Sequence, residues 1–331
     1  MIKKEIVKNT LAFKESKVTP YHLDFTPPVK KMLIEYYGTE DLDTATGNYI
    51  KWISWRPSIT FHGERLDNHL VKDEFGVIWK VLPQNRGYVV KHPLENPDIS
   101  NYQFPNSYAE GRFAGIEDRI NNSDLFMLAW CGDLFERAQF MRGLSEILTD
   151  MYINPDFVHN LLDKITEFVL GNIEQLGNFG VDGIFLSDDY GHQQSLLMSP
   201  KHWREFIKPY LAKIIDSIKS KGLYAFLHSC GNISEIIPEL IEIGLDVLHP
   251  IQPEAMDIFD IKRRHGDRLT LYGGISTQNT LPNGSPEEVR NEVLKIKEIM
   301  SKNSGYILAP GITLQHDIPL ENIIAFIDAA K

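Results

Sequence analysis

Leu223-Tyr224-Ala225-Phe226-Leu227 runs straight into His228-Ser229-Cys230-Gly231-Asn232, and Ile233 to Ile241 follows with helical spacing. The first run is short and apolar, as a buried strand requires. The third is an amphipathic helix. A histidine and a cysteine therefore stand two apart where a strand gives way to a helix. Residues i and i+2 of an extended segment face the same side. Imidazole and thiolate on one side make a zinc pair, although a zinc site needs three or four ligands. Each residue alone also fits a buried core role.

The same strand-to-helix unit recurs on both sides. Apolar strands are expected at 124–130, 183–186, 223–227, 246–248, 269–272 and 306–309, each leading into a helix. One or two more fall near 48–62. Helices are expected over 108–120, 134–148, 156–179 and 199–220, then to 243, from 258, over 285–300 and over 320–330. Ser285, Pro286 and Glu288 read as a capping box with proline in the first turn. Alternating strands and helices imply parallel strands with helical crossovers. A doubly wound sheet would bring a glycine-rich phosphate turn after its first strand, and there is none. The expected fold is an α/β (β/α)8 TIM barrel spanning 1–331 as one domain. Residues 1–47 form an N-terminal arm and helices, with 1–22 lying over the body. Residues 73–93 carry a β-hairpin insertion around Gln84-Asn85-Arg86-Gly87. The proline-rich loop at 93–105 is long enough to border a site.

Composition narrows the function. The 331 residues carry a net charge of −11 and have no long basic run, which argues against nucleic-acid binding. No apolar run is long enough for a membrane span, and no signal core follows Met1, so a cytoplasmic protein is expected. Cys131 and Cys230 make no disulfide framework and read as reduced.

A barrel builds its active site at the C-terminal ends of its strands. Those ends carry Trp130 and Cys131; Asp188, Asp189, Tyr190 and His192; His228 and Cys230; His249, Gln252 and Glu254; and Gln315, His316 and Asp317. Carboxylates, imidazoles and a thiol thus converge on one face, as metal or acid–base chemistry requires. Asp188, Asp189 and His249 are the candidate general acids. Trp55, Trp130, Tyr190, His192, Gln252 and His316 are candidate substrate contacts, and Trp52 a further wall.

Four stretches carry a resemblance: Asp182-Gly183-Ile184-Phe185-Leu186-Ser187-Asp188-Asp189, Phe226 to Asn232, Pro250-Ile251-Gln252-Pro253-Glu254-Ala255-Met256-Asp257, and Tyr272-Gly273-Gly274-Ile275-Ser276-Thr277-Gln278. They resemble the uroporphyrinogen decarboxylase superfamily, which implies a (β/α)8 barrel. The arginine-containing N-terminal signature of the decarboxylases is missing. Trp52-Ile53-Ser54-Trp55-Arg56-Pro57-Ser58 stands there instead, with Arg56 its one cation. The chain looks more like the corrinoid-linked methyltransferases, which bind zinc through His-x-Cys and a distant Cys. His228 and Cys230 match the pair. The distant position falls at Ile312, which cannot bind a metal. Glu254, Gln252, His316 and Cys131 stand as substitute ligands, with Glu254 joined to His228 and Cys230 in the expected set. The resemblance implies methyl transfer between a small methylated compound, such as an aryl methyl ether or a methylamine-type donor, and a partner corrinoid protein carrying cobalamin. A homodimer is an open expectation. A decarboxylase-like lyase and a non-catalytic small-molecule binder are the alternatives.

Overall fold

Seven parallel strands frame the computed structural model, which describes residues 2–54, 63–82, 85–120 and 123–331. They are β1 (Ile50–Ile53), β2 (Phe126–Gly132), β3 (Gly183–Ser187), β4 (Tyr224–His228), β5 (Val247–Ile251), β6 (Thr270–Ile275) and β7 (Tyr306–Pro310). They neighbour one another in chain order, every pair parallel. The expected TIM-barrel-like α/β fold is what forms.

The eighth stave comes from the N-terminal segment. Tyr21 bridges Leu308 of β7 in parallel, and Phe25 bridges Leu314. The Leu308 N–H donates to Pro20 O, and the His22 N–H to Leu308 O. On the other flank the Tyr49 N–H donates to Tyr21 O. Residues 20–25 therefore close the gap between β7 and β1. This corrects the expected arm over 1–22. Its end is a barrel stave, and its start is the helix α1 (Lys3–Leu11). Tyr21, Leu23 and Phe25 alternate and are all buried, but three residues are too few to announce a strand.

Helix α1 seals the barrel floor. Val7 and Leu11 pack among Phe126, Phe226 and Val247 inside the barrel. Each such burial stabilises by about 1.5–3 kcal/mol. Lys4 and Lys8 reach Asp182 at 3.0 and 3.1 Å, and Asp182 also accepts the Met127 N–H at 2.9 Å. The helix is thus tied to the starts of β2 and β3.

Side chains alternate along each strand. Phe126 and Leu128 fill the interior below Trp130; Phe226 does so below His228, and Val247 below His249. The register pairs Ser187 with His228 and His228 with His249. The top interior layer therefore carries the polar residues. Cys131 has the opposite parity and is fully buried among the surrounding helices.

The insertion is larger than a hairpin. Glu64–Arg65, Leu70–Lys72, Ile78–Leu82 and Asn85–Lys91 form an antiparallel meander. Of the one or two strands expected near 48–62, Ile50–Ile53 forms, and residues 55–62 lie outside the described residues. The helix expected over 108–120 is confined to Ile116–Ile120. Turns precede it because Arg112 is drawn to Glu74 of the insertion and to Asn106 O. The helix expected over 134–148 is two helices, Phe135–Arg142 and Leu144–Ile153, parted at Gly143 with φ of 102°. A π-helical turn, Trp203–Ile207, precedes Pro209, which has no N–H to continue the ladder. The capping box of Ser285 and Glu288 forms as expected. No helix of the described residues is long and apolar enough to cross a membrane.

Candidate active site

A cavity of about 470 Å³ opens above the top interior layer. Trp52, Trp130 and Phe185 form its aromatic floor and wall, with His228, His249 and Asp189 on one side. The insertion supplies a further wall through Trp79, and the helix after β2 adds Glu136, Arg137 and Phe140.

The loops after β3 and β4 hold Asp189, His228 and Cys230 together. Gly191 and Gly231 let these loops touch backbone to backbone. A Cβ on Gly231, whose φ is +81°, would lie 2.4 Å from the Gly191 carbonyl carbon. The Asn232 N–H donates to His192 O, and the Tyr190 N–H to Ser229 Oγ. Ser229 thus ties the loops while its neighbours face the cavity side. The Cys230 N–H donates to Asp189 Oδ1 at 2.7 Å and aims that oxygen at the pair. His228 Nε2 lies 3.3 Å from Cys230 Sγ and 3.4 Å from Asp189 Oδ1. One ligand atom from each of the three lies within 4.8 Å of the other two.

These spacings suit a metal. Zinc bonds of about 2.3 Å to sulfur and about 2.0–2.1 Å to nitrogen or oxygen, at tetrahedral angles, put ligand atoms about 3.3–3.6 Å apart. One sulfur, one nitrogen and one oxygen are the borderline-soft set that zinc prefers, and three protein ligands leave a fourth position open. Without a metal the same atoms attract protons. Burial alone lowers the basicity of His228, but Cys230 and Asp189 together carry it well above the ordinary imidazole range. His249 moves the other way: burial, then the neighbouring His228, hold it well below that range.

The other sequence-predicted residues separate. Asp188 is fully buried, and its carboxylate accepts the N–H groups of Leu134, Phe135 and Glu136 at 3.2, 3.0 and 2.7 Å. It therefore anchors the start of the Phe135–Arg142 helix. Tyr190 is buried between Trp203 and Phe135, away from the cavity. His192 is exposed and pairs with Ser195. Gln252 is buried and accepts the Gly231 N–H at 3.2 Å, supporting the Cys230 loop. Glu254 turns instead to Ser276 Oγ at 2.6 Å and the Gln278 N–H at 3.2 Å. His316 is exposed beyond β7. Trp130 lines the cavity, whereas Trp55 and Arg56 lie outside the described residues. Burial raises the Cys131 thiol far above its usual range. Ile312 does line the cavity, presenting hydrocarbon there.

Sequence reasoning missed Trp79, Arg137 and Asp73. Asp73 accepts the N–H groups of Phe75 and Val77, the indole N–H of Trp79 at 3.0 Å, and Arg137 at 2.9 Å. Arg137 also reaches Asp133 at 3.1 Å. The one available signal was the i,i+4 spacing of Asp133 and Arg137 after a strand end.

The profile of the family described as Uroporphyrinogen decarboxylase (URO-D) matches residues 72–331. The chain belongs to that family. Among curated proteins it is 24% identical over 197 residues to a methylated-thiol–coenzyme M methyltransferase of Methanosarcina mazei, covering 60% of this chain but only half of that protein. It is 23% identical over 265 residues to a uroporphyrinogen decarboxylase of Psychromonas ingrahamii, covering 74% of this chain and 71% of that one. A solved methyltransferase from Methanosarcina mazei superposes with a TM-score of 0.78 over 100% of this chain and 98% of the other, at 18% identity. That likeness extends the family fold to the N-terminal residues that precede the profile match.

Proposed function

We propose that this family member is a methyltransferase that moves a methyl group from a small methylated compound to a partner corrinoid protein, with zinc held by Asp189, His228 and Cys230. The observation that carries the reading is the spacing of those three ligand atoms beside an aromatic-walled cavity. Asp189 takes the place expected for Glu254, and Ile312 is left as cavity wall. Zinc bound there supplies Lewis acidity to the oxygen or sulfur from which the methyl group departs. Trp52 and Phe185 exclude water beside His228 and His249 and pack the donor's remaining atoms. The heteroatom–methyl bond would break with its electron pair left on the heteroatom, which would take a proton from solvent. The partner's reduced cobalt would supply the electron pair for the new bond to the methyl carbon.

The decarboxylase reading needs cations that are open to carboxylates. Arg137, the one Lys or Arg side chain that lines the cavity among the described residues, is already held by Asp73 and Asp133, and His228 faces Asp189. Mixing the protein with reduced corrinoid proteins and a panel of methyl ethers and thioethers tests the reading through the cobalt absorbance change. Methylation that requires zinc supports it. Carbon dioxide release from uroporphyrinogen, with no cobalt methylation, would replace it.

A further inference from the structure

The contact between His228 and His249 assigns a second histidine to the metal centre without making it a ligand. His228 Nδ1 lies 2.9 Å from His249 Nδ1. One of the two nitrogens must carry the hydrogen and the other the lone pair. A neutral His228 that accepted here would carry its proton on Nε2, the atom that faces Cys230 and Asp189, and Nε2 would be closed to a metal. A His228 that donates here keeps the Nε2 lone pair free.

Positive charge at Nε2 selects the second arrangement. The thiol of Cys230 and the carboxylate of Asp189 lie on the Nε2 side of His228 and hold a cation there, zinc or proton; in either case Nδ1 keeps its hydrogen and donates to His249. His249 is buried among rings, and the charged neighbours that act on it among the described residues are the imidazoles His228 and His22. Its ring centroid is 4.4 Å from that of Tyr272, 5.8 Å from Phe185 and 5.9 Å from Trp52. The Tyr272 hydroxyl pairs with His22 Nδ1, and His22 stacks on Trp52 at 5.1 Å. His22 sits on the closing stave. The packing that completes the barrel also fixes the plane of the His249 ring.

We propose that His249 is the positioning residue of the metal centre: its Nδ1 accepts the Nδ1–H of His228 and so presents His228 Nε2 between Cys230 and Asp189. The expected role of His249 as general acid gives way to that of a neutral acceptor. The inference rests on the metal reading above. Ring partners of this kind change metal affinity by about 10–100-fold when removed.

The test is zinc affinity, measured by competition with a chromophoric chelator, on wild type, His249→Phe and His249→Asn. Phenylalanine keeps the ring packing and removes the acceptor; asparagine restores an acceptor oxygen. The expected result is a loss of about 10–100-fold in His249→Phe and substantial recovery in His249→Asn. The cobalt(II)-substituted variants should keep the thiolate charge-transfer band of Cys230. Nitrogen-15 spectra of the zinc-loaded wild type should show His228 protonated at Nδ1, a readout that stands even if the variants fail to fold. Wild-type affinity in His249→Phe, or zinc on Nδ1 of His228, overturns the proposal. A wild type that takes up no zinc overturns the metal reading itself and this inference with it.

Discussion

The side chain of Asn48 clasps the backbone of Leu23 in both directions, accepting its N–H at 2.9 Å and donating to its carbonyl at 2.9 Å. Asn48 is buried, so neither backbone group has water as a substitute. Asn48→Ala should cost roughly 2–6 kcal/mol, because each of the two orphaned buried groups costs about 1–3 kcal/mol. Urea denaturation measures the loss. Amide exchange should accelerate first at Leu23, on the seam that closes the barrel.

Asp73 joins the insertion to the barrel through Trp79 and Arg137. Asp73→Ala should destabilise the protein by about 3–5 kcal/mol, because it removes one of the two carboxylates of buried Arg137 and leaves the N–H groups of Phe75, Val77 and the Trp79 indole without their acceptor. Limited proteolysis should then cut within the insertion sooner than elsewhere. Equal cutting throughout the chain would count against this joint.

Asp188 accepts three amide hydrogens that only an acceptor can satisfy. Burial pushes its carboxyl up to about 8, against those hydrogen bonds. In Asp188→Asn an amide NH2 meets backbone N–H groups, and roughly 1–3 kcal/mol should be lost. Circular-dichroism melting follows the loss. A fully stable but inactive Asp188→Asn protein would instead make this residue a chemical participant.

Glu254 and Asp189 give opposite forecasts for metal content. On the proposed metal reading, Glu254→Gln should leave one zinc per chain, because Glu254 turns its Oε1 to Ser276 and Gln278 and stands outside the Asp189, His228 and Cys230 cluster. Asp189→Ala should lower zinc affinity by at least tenfold if, as proposed, it removes one of three ligands. Elemental analysis after dialysis against a weak chelator distinguishes the two.

His22 predicts an acid-side loss of stability. Burial lowers its pKa to about 4, with Asp24 and Asp43 pulling the other way. The unfolded chain takes up a proton near pH 6.5, the folded chain only near pH 4, so stability falls as pH drops through that window. A shift of this size corresponds to about 3 kcal/mol. His22→Phe should flatten that part of the stability profile, as read from urea midpoints between pH 4 and 7.

The barrel was legible because six of its staves are apolar runs followed by helical periodicity. The eighth was hidden. Tyr21, Leu23 and Phe25 pair only by isolated bridges and a side-chain clasp, which leave no periodic signature. The pair His228 and Cys230 could be read from spacing alone. Asp189 could not be told from Asp188, because adjacent carboxylates at a strand end differ only in which way each turns. Asp188 turns back to a helix start and Asp189 toward His228. Cys131 and Trp130 are likewise neighbours of opposite parity, and one residue of register decides which meets the cavity.

Helix α1 fills the bottom of the barrel with Val7 and Leu11, which closes that end among the described residues. On the proposed reading, donor, demethylated product and corrinoid domain would share the opening above Trp52 and His249. Such traffic would run in turn: the donor would enter before the large protein docks, and the product would wait until it has left. Excess corrinoid protein should accordingly slow turnover by trapping the filled site.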